Sequence, residues 1–412
     1  MSALFPRAHA TKAGLSLLAC SVAFAGCARS DGGAIPASPG TNGALPSNGA
    51  PRSAASRSWS RPGSQSCETL YNFTGDPDGS MPESSLVDFK GALYGTTPAG
   101  GTSNLGTVYS VTPTGTEKVV HSFTGSPDGS IPYANLIDVK GLLYGTTSQG
   151  GTHNAGTVFS ISKTGTLAIV YDFKGGPDGA APAAGLIDVG GVLYGTTIGG
   201  GTTGNGTVFS VTTSGTENVL YSFANGSDGA TPQAGLVHFK GAFFGTTQNG
   251  GANSDGTVFK VTSTGTETVL HSFAGGSDGA TPLAGLVAVG ATLYGTTSNG
   301  GAYGPSATGT VFSITAEGKE TVLHSFGSVG DGADPNAALI DVGGTLYGTT
   351  AEGGAAGLGS VFSITPSGAE SVLCSPGGEI PSAGLVNVKG TLYGTTKDGG
   401  SQPAGTVFSL PL

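Results

Sequence analysis

From residue 67 onward the chain alternates short apolar stretches with glycine-rich and Asp-Gly breaks. The first four stretches are Ser85–Phe89, Ala92–Thr97, Thr107–Thr112 and Glu117–Phe123. They are rich in Val, Leu, Phe, Tyr and Thr, which suit a pleated, half-buried strand. Lys90-Gly91 predicts a tight hairpin between the first two, and Thr114-Gly115 a turn between the third and fourth. Many positions on both strand faces are apolar or small, as expected of sheets covered on each side. No stretch of the body combines a helical apolar period with caps, so four strands per unit and no helix are expected.

The unit then repeats. Leu-Tyr-Gly-Thr-Thr, or a close variant, places its aromatic at Tyr94, Tyr144, Tyr194, Phe244, Tyr294, Tyr347 and Tyr393, at intervals of 50, 50, 50, 50, 53 and 46 residues. A period of this size means a solenoid, a propeller or an array. The two ends of the array decide between them. A fourth-strand motif, Glu68-Thr69-Leu70-Tyr71-Asn72-Phe73, precedes the first full unit, and the last unit stops after its third strand at Gly405–Leu410. The orphan strand fits the vacancy. Pairing them closes a ring and removes open sheet edges, and no capping repeat of a linear solenoid is present. The predicted fold is an all-β seven-bladed propeller of four-stranded blades, closed by the N-terminal strand.

The unit LVDFKGALYGTTPAGGTSNLGTVYSVTPTGTEKVVHSF resembles the bacterial GloVer tandem repeat, found in choice-of-anchor surface proteins. A strand pair, a Gly-Gly doublet (Gly100-Gly101, Gly150-Gly151, Gly250-Gly251) and two further strands are also similar to kelch units, without the repeated Trp. The resemblance implies a repeat region attached to a surface anchor. It carries no established catalytic residue.

The N-terminus supplies a candidate anchor. Arg7 and Lys12 precede the small and apolar run Ala13–Ala25, too short to span a bilayer. The run leads into Phe24-Ala25-Gly26-Cys27, which resembles a lipobox and makes Cys27 the candidate lipidation site; Leu17-Leu18-Ala19-Cys20 is the weaker rival. Ala28 after the cysteine resembles a signal for outer-membrane sorting. The expected organisation is a signal peptide over 1–26, a Ser/Gly/Pro/Ala-rich tether over 27–66 and the propeller over 67–412, anchored to the membrane through a lipid on Cys27. The remaining cysteines, Cys67 and Cys374, fall on outer strands of neighbouring blades and are expected to stay unpaired, although export permits disulfides.

Charge narrows the function classes. Beyond residue 66 there are 10 lysines, no arginine and 25 acids. An acidic body is a poor partner for nucleic acid, whose binding rests on neutralising phosphates. No Cys-x-x-Cys, helical His pair, Gly-x-Ser-x-Gly elbow or dinucleotide loop is present, so no catalytic residue, metal or cofactor is assigned.

Strand alternation puts the second-to-third loops and the links between blades on one face. Six links carry Asp-Gly, at Asp78, Asp128, Asp178, Asp228, Asp278 and Asp331. Turn chemistry accounts for this pair, and one Asp per loop falls short of a calcium site. A second polar series, Asp88, Asp138, Asp188, His238, Asp341 and Asn387, is expected to bond to the adjacent hairpins. His121, His271 and His324 share a strand position with Tyr171 and Tyr221, which suggests packing. Residues that break the repeat, Tyr133, Tyr303, His153 and Asn154, make the link face the candidate binding surface together with the Asp series. The expected function is a non-catalytic module for a protein or polysaccharide. The alternatives are a carbohydrate-active propeller enzyme and a passive spacer.

Overall fold

The computed structural model describes residues 66–304, 308–327 and 330–412. The segments read as signal peptide and tether, with Cys27 and Trp59, lie outside them but for residue 66. Seven four-stranded antiparallel sheets form the blades. Blade 1 consists of Val87–Phe89, Ala92–Thr97, Thr107–Val111 and Glu117–Ser122, and blades 2 to 6 repeat this order. In blade 7, Val386–Val388, Thr391–Thr396 and Thr406–Pro411 are completed by Glu68–Asn72, which pairs antiparallel with the last strand. The ring closes as its two ends predict. No helix among the described residues is long and apolar enough to cross a membrane.

Each part of the repeated motif has a physical reason. The glycine of Gly-Thr-Thr lets the third-strand aromatic lie across the second strand: a Cβ on Gly95 would sit 2.6 Å from the Tyr109 hydroxyl oxygen. The first threonine hydroxyl donates to a backbone carbonyl of the next blade. Thr96 reaches Ala134, and the series runs round to Thr395 and Ser84, at 2.9–3.5 Å. The second threonine bonds the third strand, as Thr97 does Thr107 at 2.8 Å. Lys90 and Gly91 both have positive φ (54° and 85°), as a primed hairpin turn requires. Inner strands are three residues long, shorter than the sequence suggests. The residues before them leave the ladder and accept the threonine bonds from the neighbouring blade.

The core lies between blades. Phe73–Tyr109, Phe123–Phe159, Phe173–Phe209, Phe223–Phe259, Phe273–Phe312 and Phe326–Phe362 meet edge-on at 4.9–5.3 Å, one pair per seam. Such pairs add about 0.5–1.5 kcal/mol each beyond area burial. At the seam of blades 6 and 7, Pro376 stands where the first phenylalanine would be. This seam holds a disulfide, Cys67–Cys374, with Cα atoms 5.8 Å apart. The expectation that these cysteines stay apart is therefore corrected. Cys374 occupies the strand position of His324, and Cys67 that of Glu117, and residues at these two positions face each other across the seams.

Candidate functional site

Two polar regions stand out: a cluster at the outer edge of each seam and a cavity on the axis. At the outer edge, each link aspartate turns back onto the fourth strand that precedes it. Asp78 accepts the Tyr71 hydroxyl at 2.8 Å and the Thr74 amide at 3.0 Å. Tyr171–Asp178 and Tyr221–Asp228 repeat the contact at 2.8 and 2.9 Å. Histidine replaces tyrosine at His121–Asp128 (2.9 Å), His271–Asp278 (3.2 Å) and His324–Asp331 (3.1 Å). The turn bonding expected of these aspartates is present, joined by a side-chain partner seven residues earlier.

A residue that sequence reasoning passed over completes the cluster. The fourth strand of the next blade begins with Glu117, Glu217, Glu267, Glu320 or Glu370, and this glutamate approaches the same aspartate. The Tyr171 hydroxyl lies 3.4 Å from Glu217. Burial, and then the neighbouring aspartate charge, push each of the five glutamates up to about 7. One carboxylate oxygen of each is shut from solvent and accepts no hydrogen bond from the described residues. Burial and the aspartate bond also raise the Tyr71, Tyr171 and Tyr221 hydroxyls. Blade 2 departs from the pattern, because Leu167 takes the glutamate position facing His121. Among the described residues, His271–Asp278–Glu320 and His324–Asp331–Glu370 each bring their ligand-type atoms within 4.8 Å of one another.

The second region is a cavity of 270 Å³ lined by the residues that lead into all seven inner strands. These residues follow the link prolines, and the position just after each proline reads Glu83, Tyr133, Ala183, Gln233, Leu283, Asn336 and Ser382. No residue type recurs there. Glu83 is held by Lys397 at 2.8 Å. Burial works against the Lys397 charge, but the bond and attraction to Glu83 more than offset it and hold the ammonium above its usual range. Tyr133 is near enough for both charges to act on its hydroxyl, which burial raises first, then Glu83, with Lys397 opposing. Asn336 Oδ1 and Ser382 Oγ have no hydrogen-bond partner among the described residues. Buried polar atoms of this kind are normally satisfied by protein, water or ligand.

Some of the sequence-predicted site residues fall in these two regions and others in the second-to-third loops. Tyr133 lines the cavity. Asp78, Asp128, Asp178, Asp228, Asp278 and Asp331 lie at the outer seams, against the fourth strands. Tyr303 sits in a second-to-third loop, 51% exposed. His153 lies 3.6 Å from Asp172. Asn154 has φ 56° and accepts the Gly150 amide at 3.1 Å, so its side chain braces its own loop. Of the inner-strand series, Asp138, Asp188, Asp341 and Asn387 accept hairpin glycine amides, as expected.

Ring, seams and axial cavity define a closed seven-bladed β-propeller repeat protein. The chain belongs to the Gloeobacter/Verrucomicrobia repeat family, whose model matches residues 58–176, 162–307 and 241–412. No curated protein matches it in sequence. Solved structures are similar to it at low identity. A puromycin-hydrolysing peptidase of Mycobacterium tuberculosis is 11% identical with a TM-score of 0.51, over 84% of this chain and 54% of its own, so the match spans about half of that enzyme. A second puromycin hydrolase structure gives 11% identity and a TM-score of 0.47, over 84% of this chain and 55% of its own. A gluconolactonase of Xanthomonas campestris gives 15% and 0.38, over 62% of this chain and 78% of its own.

Proposed function

We propose that this chain is an exported, lipid-anchored propeller that binds the end of a polysaccharide in its axial cavity without transforming it. The observation that carries the reading is the position after each link proline. Flanking parts of the unit, such as the Gly-Thr-Thr motif and the link proline, repeat with little change, while this position differs in every blade and faces the cavity. A site with a tyrosine face, amides and a fixed ion pair suits hydroxyl-rich ligands, and its volume, just below the usual range of small-molecule pockets, fits a sugar end. Glu83 is the one carboxylate among the described lining residues, and Lys397 holds it. Hydrolysis by paired carboxylates needs a second. The Cys67–Cys374 bond supports an oxidising compartment, in line with export through the N-terminal signal and a lipid on Cys27.

The test is depletion of the purified full chain by insoluble and soluble polysaccharides, with released reducing ends assayed in the supernatant. Saturable depletion without release is expected, weakened at least tenfold by Tyr133→Ala and by Glu83→Gln. Release of sugar ends would replace binding with catalysis. Depletion unaffected by both variants would remove the cavity as the site. Labelling of the expressed chain with a lipid precursor, lost in Cys27→Ser, checks the anchor.

A further inference from the structure

We propose that the outer seams between blades 4 and 5 and between blades 5 and 6 each bind one divalent transition-metal ion of the zinc class, through His271, Asp278 and Glu320 and through His324, Asp331 and Glu370. Each set offers one imidazole nitrogen and two carboxylates whose ligand atoms lie within 4.8 Å of one another. Ligands about 2.0–2.2 Å from a tetrahedral zinc stand roughly 3.4 Å apart, so closure asks for a contraction of the order of 1 Å. Three protein ligands leave a fourth position for water. Mixed nitrogen and oxygen donors favour zinc-like ions over calcium or magnesium, which take oxygen alone.

The repeat supplies its own controls. Three seams carry Tyr71, Tyr171 or Tyr221 in place of histidine and lack a nitrogen donor. One carries His121 and Asp128 but has Leu167 in the glutamate position. The closing seam is a disulfide. Only two of the seven seams therefore hold all three ligand types. The solvent-shut oxygens of Glu320 and Glu370 accept no hydrogen bond from the described residues, as in the three tyrosine seams, but in these two seams a histidine nitrogen completes the set. Two partly buried carboxylates facing each other repel, and a divalent ion between them removes that cost. Binding displaces any proton shared by the cluster, so affinity rises with pH.

The experiment is equilibrium dialysis of the chelator-stripped full chain against zinc, with metal analysis and thermal melts. His271→Tyr and His324→Tyr install the residue that three natural seams already carry, so the fold is retained. Each is expected to lose one bound ion per chain, and the double variant two. Leu167→Glu is expected to gain one. Zinc should raise the melting temperature of the wild type more than that of the double variant. An equal number of ions on wild type and double variant overturns the proposal. Saturation by calcium with none by zinc overturns the metal class. If Leu167→Glu fails to fold by circular dichroism, the two losses still decide. Polysaccharide depletion by the double variant should be unchanged, which separates this site from the axial one.

Discussion

Six seams of the ring share one joint, and the seventh has another. In the six, an edge-on aromatic pair fills the interior, and a tyrosine or histidine bonded to an aspartate occupies the outer edge. In the seventh, proline replaces the phenylalanine, the link is shortened around Gly377 and Gly378, and Cys67–Cys374 takes the outer edge. Every seam is crossed by a link of the chain, but the link between blades 6 and 7 is shorter and carries no Asp-Gly, so no aspartate is brought to that outer edge. In blade 7 the outer strand comes from the other end of the sequence, 307 residues away between the two cysteines. The disulfide ties the start of that strand to blade 6 in addition to its ladder with Thr406–Pro411.

The largest expected effect tests the common joint. Phe326→Ala removes one aromatic partner from a fully buried seam and is expected to cost about 3–5 kcal/mol in chemical denaturation, as such core truncations do. A cost below about 1 kcal/mol would mean that the pairs merely fill space. Next comes the closing seam. Cys67→Ser with Cys374→Ser, or reduction of the native chain, is expected to cost about 2–5 kcal/mol. The loss should show first as exposure of blade 7 in hydrogen exchange. Uniform loss of protection around the ring would put the closing seam on a par with the rest.

A smaller effect separates the seams by pH. Each of the five seam glutamates has its folded pKa raised from 4.5 to about 7. The stabilisation is therefore full below about 4.5 and is lost as pH rises through about 7. Melting temperature in metal-free buffer should fall between pH 5 and pH 8, and glutamine at all five positions should flatten that slope. The closing seam has no such glutamate, so reduced and oxidised chains should show parallel slopes. Crossing slopes would tie the disulfide to the carboxylate clusters. The smallest effect is expected at Tyr303→Ala, within about 0.5 kcal/mol of wild type by melting and without effect on polysaccharide depletion. Weakened binding there would move the site from the axis to the loops.

What the sequence made legible lies within one repeat. The strands, the Lys-Gly hairpins, the Asp-Gly turns and the inner-strand aspartates bonding to their own hairpins all join residues a few positions apart. Ring closure was legible as well, because a spare strand and a missing strand are both counted along the chain. The seam clusters were not. Tyr171 meets Glu217 across 46 residues, and nothing in either strand alone marks the glutamate as more than a solvated strand end. The histidines looked like packing because tyrosine shares their position; the shared feature is the aspartate they both bond. The disulfide was missed for the same reason. Aligning Cys374 with His324 and Cys67 with Glu117 places the two sulfurs where five other seams bring their polar pair together. In the axial cavity Tyr133 stood out because it breaks the repeat, whereas Glu83, Gln233 and Asn336 become informative only when the seven post-proline positions are seen to surround one space.

The place of Cys67 has a mechanical consequence. It is the last residue before the closing strand, so a pull on the preceding chain meets a covalent bond to blade 6 before it meets any hydrogen bond of Glu68–Asn72. Without that bond, tension would peel the outermost strand from its neighbour one pair at a time. With it, the load passes sideways into a neighbouring blade whose strands are continuous with the body of the ring. The propeller can thus be held by its leading end under shear without being unwound by it.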